Sequence, residues 1–293
     1  MFGIVVNPVS GAGQGKRLAE EAMALVHQAG DEGRIYPSTE VGGMREATAK
    51  AIAEGCSSIA VVGGDGSLSE AVRALYGTGA ELLLIPGGTG NDLARSLLLP
   101  KDPILAFRAQ LYGEPGTMDL GLINGMPFLN VSGSGFDVSV LERTEALKAV
   151  YPGGKAYRKA VLREIRHFRP FAPEILVDGK PLPREEYTIC EIANGRYFGG
   201  GMKVAPSARV DDGFFEIILV PKLSKLGITL FLPLFIAGAH VAVGLARCSR
   251  AKRVTLRMPG MTVNIDGQLM HMDEANYEIS EGALRIRRPK KDA

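Results

Sequence analysis

Cysteine and histidine are scarce, with three and four residues in a chain of 293. Cys56, Cys190 and Cys248 are scattered and odd in number. They build neither a disulfide framework nor a metal-ligand spacing, and read as small buried apolar side chains in a reducing compartment. His27, His167, His240 and His271 show no ligand spacing, and no Ser–His–Asp triad is legible. An excess of one charge is also lacking: 34 basic against 32 acidic residues leave +2, without the basic surplus typical of nucleic-acid binders. No internal repeat or low-complexity linker breaks the chain. The opening MFGIVVNP lacks a basic stretch ahead of a longer apolar one and reads as a first strand rather than a signal peptide.

Apolar residues make up 46% of the sequence, enough for compact folding, and the length suits two domains. One uncharged run, residues 227–246, just reaches the length of a bilayer span. Lys222 and Lys225 precede it, and Arg247, Arg250, Lys252 and Arg253 follow. Pro233, His240 and three glycines weaken a spanning reading. The expectation is a buried or membrane-grazing helix whose flanking cations meet anionic headgroups.

The first 120 residues alternate short apolar runs with helical spacing: strands over 3–6, 34–36, 58–62 and 82–85, and helices over 15–30, 45–54, 68–76 and 92–98. That order predicts a parallel sheet with helices on both faces and ligands beyond the C-terminal strand ends. From about Met118 period-two patterns dominate, with helical patterns over 142–150, 157–168 and 223–248. A β-rich second domain, a sandwich, is expected over 121–293. The two domains share a cleft, and the C-terminal tail is left open to rejoin the first.

Three glycine turns fall at those strand ends. The first, Asn7 to Lys16, offers backbone N–H groups, the Ser10 hydroxyl and a lysine, but departs from the Walker pattern at Arg17. The second is Gly63-Gly64-Asp65-Gly66-Ser67. Its glycines allow close approach to phosphate, Asp65 supplies charge for Mg²⁺, and Ser67 supplies a hydroxyl. As plain structure it is a Gly-Asp turn with Ser67 capping a helix and Glu70 completing the box. The third, Pro86-Gly87-Gly88-Thr89-Gly90-Asn91-Asp92, is the most specific string. Two such turns so close in sequence suggest one nucleotide-phosphate site and hence a phosphotransferase.

GGDGS followed by PGGTGNDLAR resembles the catalytic domain of the diacylglycerol kinase superfamily, which includes bacterial lipid kinases and the sphingosine and ceramide kinases. The likeness runs nearly end to end. It includes Asn7-Pro8 with Ser10-Gly11, Met118-Asp119-Leu120-Gly121, Gly133 to Asp137, Asn194-Gly195, Gly199 to Met202, Asp211-Asp212-Gly213 and Asn264 to Gly267. The resemblance implies an NAD kinase-like α/β first domain. It implies ATP phosphates on a pocket drawn from Asn7, Ser10, Lys16, Thr39, Gly63, Gly64, Asp65, Gly66, Ser67, Leu68, Ser69, Glu70, Thr89 and Asn91. Catalytic Mg²⁺ would lie in an acidic network of Asp65, Asp92 and Asp119, and a second, structural Mg²⁺ at the turn of Arg209, Asp212 and Phe214. From spacing alone, the Asp211–Gly213 string reads rather as a plain hairpin turn.

One departure matters. The family's final motif ends Asp-Gly-Glu, with the glutamate proposed as the base for the lipid hydroxyl, whereas this chain has Asp266, Gly267 and Gln268. An amide cannot accept that proton at neutral pH, so either another carboxylate such as Asp266 substitutes, the substrate differs, or the enzyme is slow. The expectation is an ATP- and Mg²⁺-dependent lipid kinase, most simply of diacylglycerol, cytoplasmic and peripheral to the inner membrane face, with a homodimer left open. The rivals are a kinase of a sphingoid or soluble alcohol, a nucleotide-binding regulator that has lost catalysis, and an integral membrane protein.

Overall fold

The computed structural model describes residues 1–8, 13–38, 42–151 and 154–290. The first part alternates β1 (Phe2–Val6), α1 (Gly15–Gln28), β2 (Gly33–Pro37), α2 (Met44–Ala53), β3 (Ser58–Gly63), α3 (Asp65–Leu75), β4 (Glu81–Pro86), α4 (Asp92–Ser96) and α5 (Pro103–Leu111). Strands β2-β1-β3-β4 pair in parallel. β1, β3 and β4 are buried along their whole length, as a sheet covered on both faces requires. Ile4, Val62, Leu83 and Ile85 face Leu18, Val26 and Phe107 of α1 and α5. Val5, Val61 and Leu84 face the opposite core with Ala51, Leu68 and Val72 of α2 and α3. Helix α5, absent from the sequence expectation, starts where Asp102 accepts the N–H groups of Ile104 and Leu105 ahead of Pro103.

The second part comprises β5 (Glu114–Ile123), β6 (Met126–Phe128), β7 (Val131–Gly135), α6 (Phe136–Lys148), α7 (Gly154–His167), β8 (Glu174–Val177), β9 (Lys180–Pro181), β10 (Tyr187–Ala193), β11 (Phe215–Pro221), α8 (Lys225–Ala237), β12 (Arg247–Ala251), β13 (Arg253–Ile265) and β14 (Gln268–Arg288). Its strands run in the order β12-β11-β10-β7-β13-β14, with β5 on β14 and β8 on β13. An inner core gathers Tyr187, Ile192, Phe215, Leu256, Val263 and Tyr277 from both layers. The outer face of β10 and β11 packs Ile189, Ile218 and Val220 against Phe231 and Phe235 of α8.

Two features differ from the sequence expectation. A boundary at residue 120 falls inside β5. The end of β14 makes the return that the sequence left open, where Arg285 and Ile286 pair in parallel with Glu81 and Leu82 of β4. One hydrogen-bonded sheet therefore runs through both parts, with Leu284 and Ile286 buried in the first core. The expected helix over 223–248 is shorter. Ser224 caps the start of α8 by accepting the Gly227 N–H, and Gly238, with φ 78°, closes it in the left-handed conformation. His240 is buried just beyond, its Nε2 2.9 Å from the Val204 carbonyl. No helix among the described residues is long and apolar enough to cross a membrane.

Candidate active site

The parallel register that pairs Gly63 with Pro86 sets the turns after β3 and β4 side by side. The Gly87 N–H donates to the Gly63 carbonyl at 2.9 Å. A Cβ on Gly88 would lie 2.5 Å from the Gly64 Cα, so only glycine allows the loops this close. Asp65 then ties them together: its carboxylate accepts the N–H of Asn91 at 2.9 Å and of Asp92 at 2.6 Å. Asn91 sits in the left-handed conformation at φ 53°. Its side chain bonds both the N–H and the carbonyl of Gly88. Asp65 opens α3, where free N–H groups and the helix dipole favour a phosphate.

Asp92 is buried, accepts the Gly200 N–H at 3.0 Å through Oδ2, and leaves Oδ1 without a hydrogen-bond partner. Burial, joined by the Asp65 charge and opposed by the Gly200 hydrogen bond, raises its pKa to about 6. A buried carboxylate with an unsatisfied oxygen beside phosphate-binding N–H groups fits a divalent cation. Mg²⁺ is commonly held by one or two carboxylates together with substrate phosphates, and Asp92 with Asp65 would supply them. Asp119 stands in a different setting. Its two carboxylate oxygens accept the N–H groups of Gly213 and Gly282, each at 2.7 Å. No group of three or more His, Cys, Asp or Glu suited to a metal occurs among the described residues.

The turn of Arg209, Asp212 and Phe214 is met by cations from β12 and the residue after it. Asp212 accepts the Arg250 guanidinium on one oxygen and the Phe214 N–H on the other. Arg250 and Lys252 both lie over the Phe214 ring. Arg250 thus pairs with the one carboxylate that a second magnesium at this turn would use.

Of the other residues singled out, Ser10 and Thr39 lie outside the described residues. Lys16 is exposed and 3.9 Å from Glu20. Thr89 is exposed at the tip of its turn, whereas Leu68 and Ser69 lie on the buried face of α3. Glu70 accepts the Met44 N–H at 3.1 Å and so caps α2.

A cavity of about 430 Å³ spans the junction of the two parts. Asp65, Gly66 and Asp92 form one wall, Asp266, Gly267 and Gln268 another, and Leu141, Tyr157, Phe198 and Met202 an apolar side. Asp266 is no free base. It accepts the N–H groups of Leu129, Asn130 and Val131, which hold the turn, while burial pushes its pKa up. The Gln268 carbonyl oxygen accepts from Arg73 of α3 at 2.9 Å. Sequence reasoning did not place Arg73, Asp137, Glu191 or Asn264 in the site. The Gly133–Asp137 string was the one available signal for Asp137, and nothing in the linear order pointed to Glu191.

Residues 1–123 match the diacylglycerol kinase catalytic domain, and residues 130–288 the YegS C-terminal NAD kinase beta sandwich-like domain. The chain is 32% identical over 293 residues to a diacylglycerol kinase of Mycobacterium tuberculosis, covering 98% of this chain and 94% of that one. It is 33% identical over 284 residues to a probable lipid kinase YegS-like of Pseudomonas aeruginosa, covering 94% and 91%. The crystal structure of a putative diacylglycerol kinase from Bacillus anthracis superposes with a TM-score of 0.82 at 24% identity, covering 99% and 95%.

Proposed function

The chain belongs to the diacylglycerol kinase catalytic family of lipid kinases, and from that premise we propose that it transfers the γ-phosphoryl group of ATP to the primary hydroxyl of diacylglycerol. The observation that carries this reading is the meeting of two glycine loops, braced by Asp65, with an apolar-sided cavity at the domain junction. The loops offer N–H groups to the phosphates. Bound Mg²⁺ would supply charge neutralisation for the transferred group. The brace keeps the loop N–H groups in place, and α3 adds its dipole.

The acceptor side supports an uncharged lipid head. Asp65, Asp92, Asp137 and Asp266 border the cavity, and no lysine or arginine lines it among the described residues. An anionic head such as that of phosphatidylglycerol would meet the acidic side of Asp137 and Asp266 with no basic side chain among the described lining residues. The outer surface supports a membrane source. Leu162 of α7 and Leu226, Leu230 and Ile236 of α8 are exposed apolar side chains. Lys155, Arg158, Lys159, Arg163 and Arg166 line α7 beside them. An apolar patch bordered by cations suits an anionic bilayer, and Tyr157 of the same helix borders the cavity. The protein then works from the cytoplasm as a peripheral enzyme.

The test is transfer of labelled phosphate from ATP in vesicles carrying diacylglycerol, sphingosine, ceramide or phosphatidylglycerol, with Asp65→Asn as control. Diacylglycerol should be the preferred acceptor and the control inactive. Phosphorylation of soluble alcohols alone would overturn the lipid reading. Tight ATP binding without any acceptor-dependent ADP release would favour a regulator, which Gln268 alone recommends.

A further inference from the structure

Three strands place a row of residues in register beneath the cavity: Glu191 of β10 opposite Gly133 of β7, and Gly133 opposite Asn264 of β13. Opposed residues on neighbouring strands point to the same face. Gly133 leaves a gap between the other two, and a Cβ there would meet Glu191 Oε2 at 2.2 Å. Asp137, in the first turn of α6, reaches this gap. Its carboxyl faces that of Glu191 and lies at a long 3.5 Å from the Asn264 amide. Asn264 also accepts the Gly267 N–H at 2.8 Å, so one side chain holds both Asp137 and the turn bearing Gln268.

Glu191 is fully buried. With both acids ionised, neither Glu191 oxygen nor Asp137 Oδ1 has a donor. One proton on Glu191 repairs this by giving Asp137 a hydrogen bond and removing one of two adjacent buried charges. Burial raises the pKa of both groups, and Asp137 raises that of Glu191 further. The other titratable groups that influence the pair are Tyr157 of α7, Cys190 of β10 and Tyr277 of β14. Asp137 borders the cavity, whereas Asp266 is committed to three backbone N–H groups and Gln268 cannot take a proton.

We propose that Asp137, held by protonated Glu191 and by Asn264, accepts the proton of the acceptor hydroxyl, the task for which residue 268 has no carboxylate. This rests on the kinase reading above. The acceptor oxygen bonds to the γ-phosphorus as the bond from that phosphorus to the bridging oxygen breaks. The bridging oxygen leaves with its electron pair on ADP. The hydroxyl proton passes to the Asp137 carboxylate and from there to water after the products depart. Asp137 is the catalytic residue and Glu191 a positioning residue.

The test compares wild type, Asp137→Asn, Glu191→Gln and Asp137→Asn/Gln268→Glu. It measures turnover on diacylglycerol vesicles across pH, ADP release to water without lipid, ATP affinity by calorimetry, and melting temperature. Asp137→Asn should lose about 10²–10⁴-fold in kcat, with ATP affinity unchanged and melting temperature equal or higher. Glu191→Gln keeps a donor to Asp137 but a weaker one, so the acid limb of the kcat profile should move to higher pH; a residue that only packs there would leave the limb in place. The double variant should recover part of the lost turnover, because Gln268→Glu restores a carboxylate to the cavity. Near-wild-type ADP release by a folded Asp137→Asn overturns the inference. A wild type that phosphorylates no lipid overturns the lipid reading instead, since ADP release to water makes the same comparison without one.

Discussion

Asp65 acts on the site through its hydrogen bonds as much as through its charge. Asn in its place offers a single acceptor oxygen to the N–H groups of Asn91 and Asp92, and its amide faces one donor with another. The variant should lose roughly 1–3 kcal/mol of stability for the unsatisfied group and most of its ATP affinity, read by thermal melting and calorimetry. Gly88→Ala tests the same contact sterically. Its methyl would press on the Gly64 backbone, costing about 1–3 kcal/mol by overpacking and weakening ATP binding without altering any charge. Asp137 and Glu191 give a pH signature in stability. Each has a raised pKa in the folded state. Each therefore favours folding below the ordinary carboxyl value of about 4 and loses that contribution as pH climbs through the raised value. Asp137→Asn should accordingly raise the melting temperature more at about pH 8 than at about pH 5.

Helix α8 shows how an element can be apolar without crossing a membrane. Its 13 residues are stopped by a left-handed Gly238. Ile228, Phe231 and Phe235 are buried on one side, while Leu226, Leu230 and Ile236 are exposed on another. The inner side holds the helix on β10 and β11, which leaves the outer side without a packing duty. Leu226→Glu/Leu230→Glu should therefore leave the melting temperature nearly unchanged, as exposed substitutions shift stability by about 0.5 kcal/mol or less. Vesicle sedimentation should fall sharply. If the pair still sediments like wild type, α8 is not the contact.

In the whole molecule, β14 joins what the chain order separates. It pairs with β13 and β5 in the second part and ends against β4 in the first. Arg287 there meets buried Glu81 at 2.8 Å. Thermal unfolding should show one cooperative transition rather than two. Deleting the chain from residue 283 onward removes buried Leu284 and Ile286 and strands Glu81. That truncation should abolish the single transition or leave a protein that does not fold, as calorimetry would read.

The alternating first part, the strand-end position of its glycine turns and the change to β-rich pattern were all determined by the sequence itself. Each rests on local periods of 2 and 3.6 and on turns that only glycine can make. The likeness of GGDGS and PGGTGND to one kinase superfamily was legible for the same reason, because short strings carry it. Tertiary structure alone decided what depends on distant chain segments meeting. It set Asp65 between two loops, turned Asp119 to the N–H groups of Gly213 and Gly282, and put Arg250 on Asp212. It also set Glu191 behind Asp137 across a three-strand register, and hydrogen-bonded pairing across strands has no signature in the linear order of either strand.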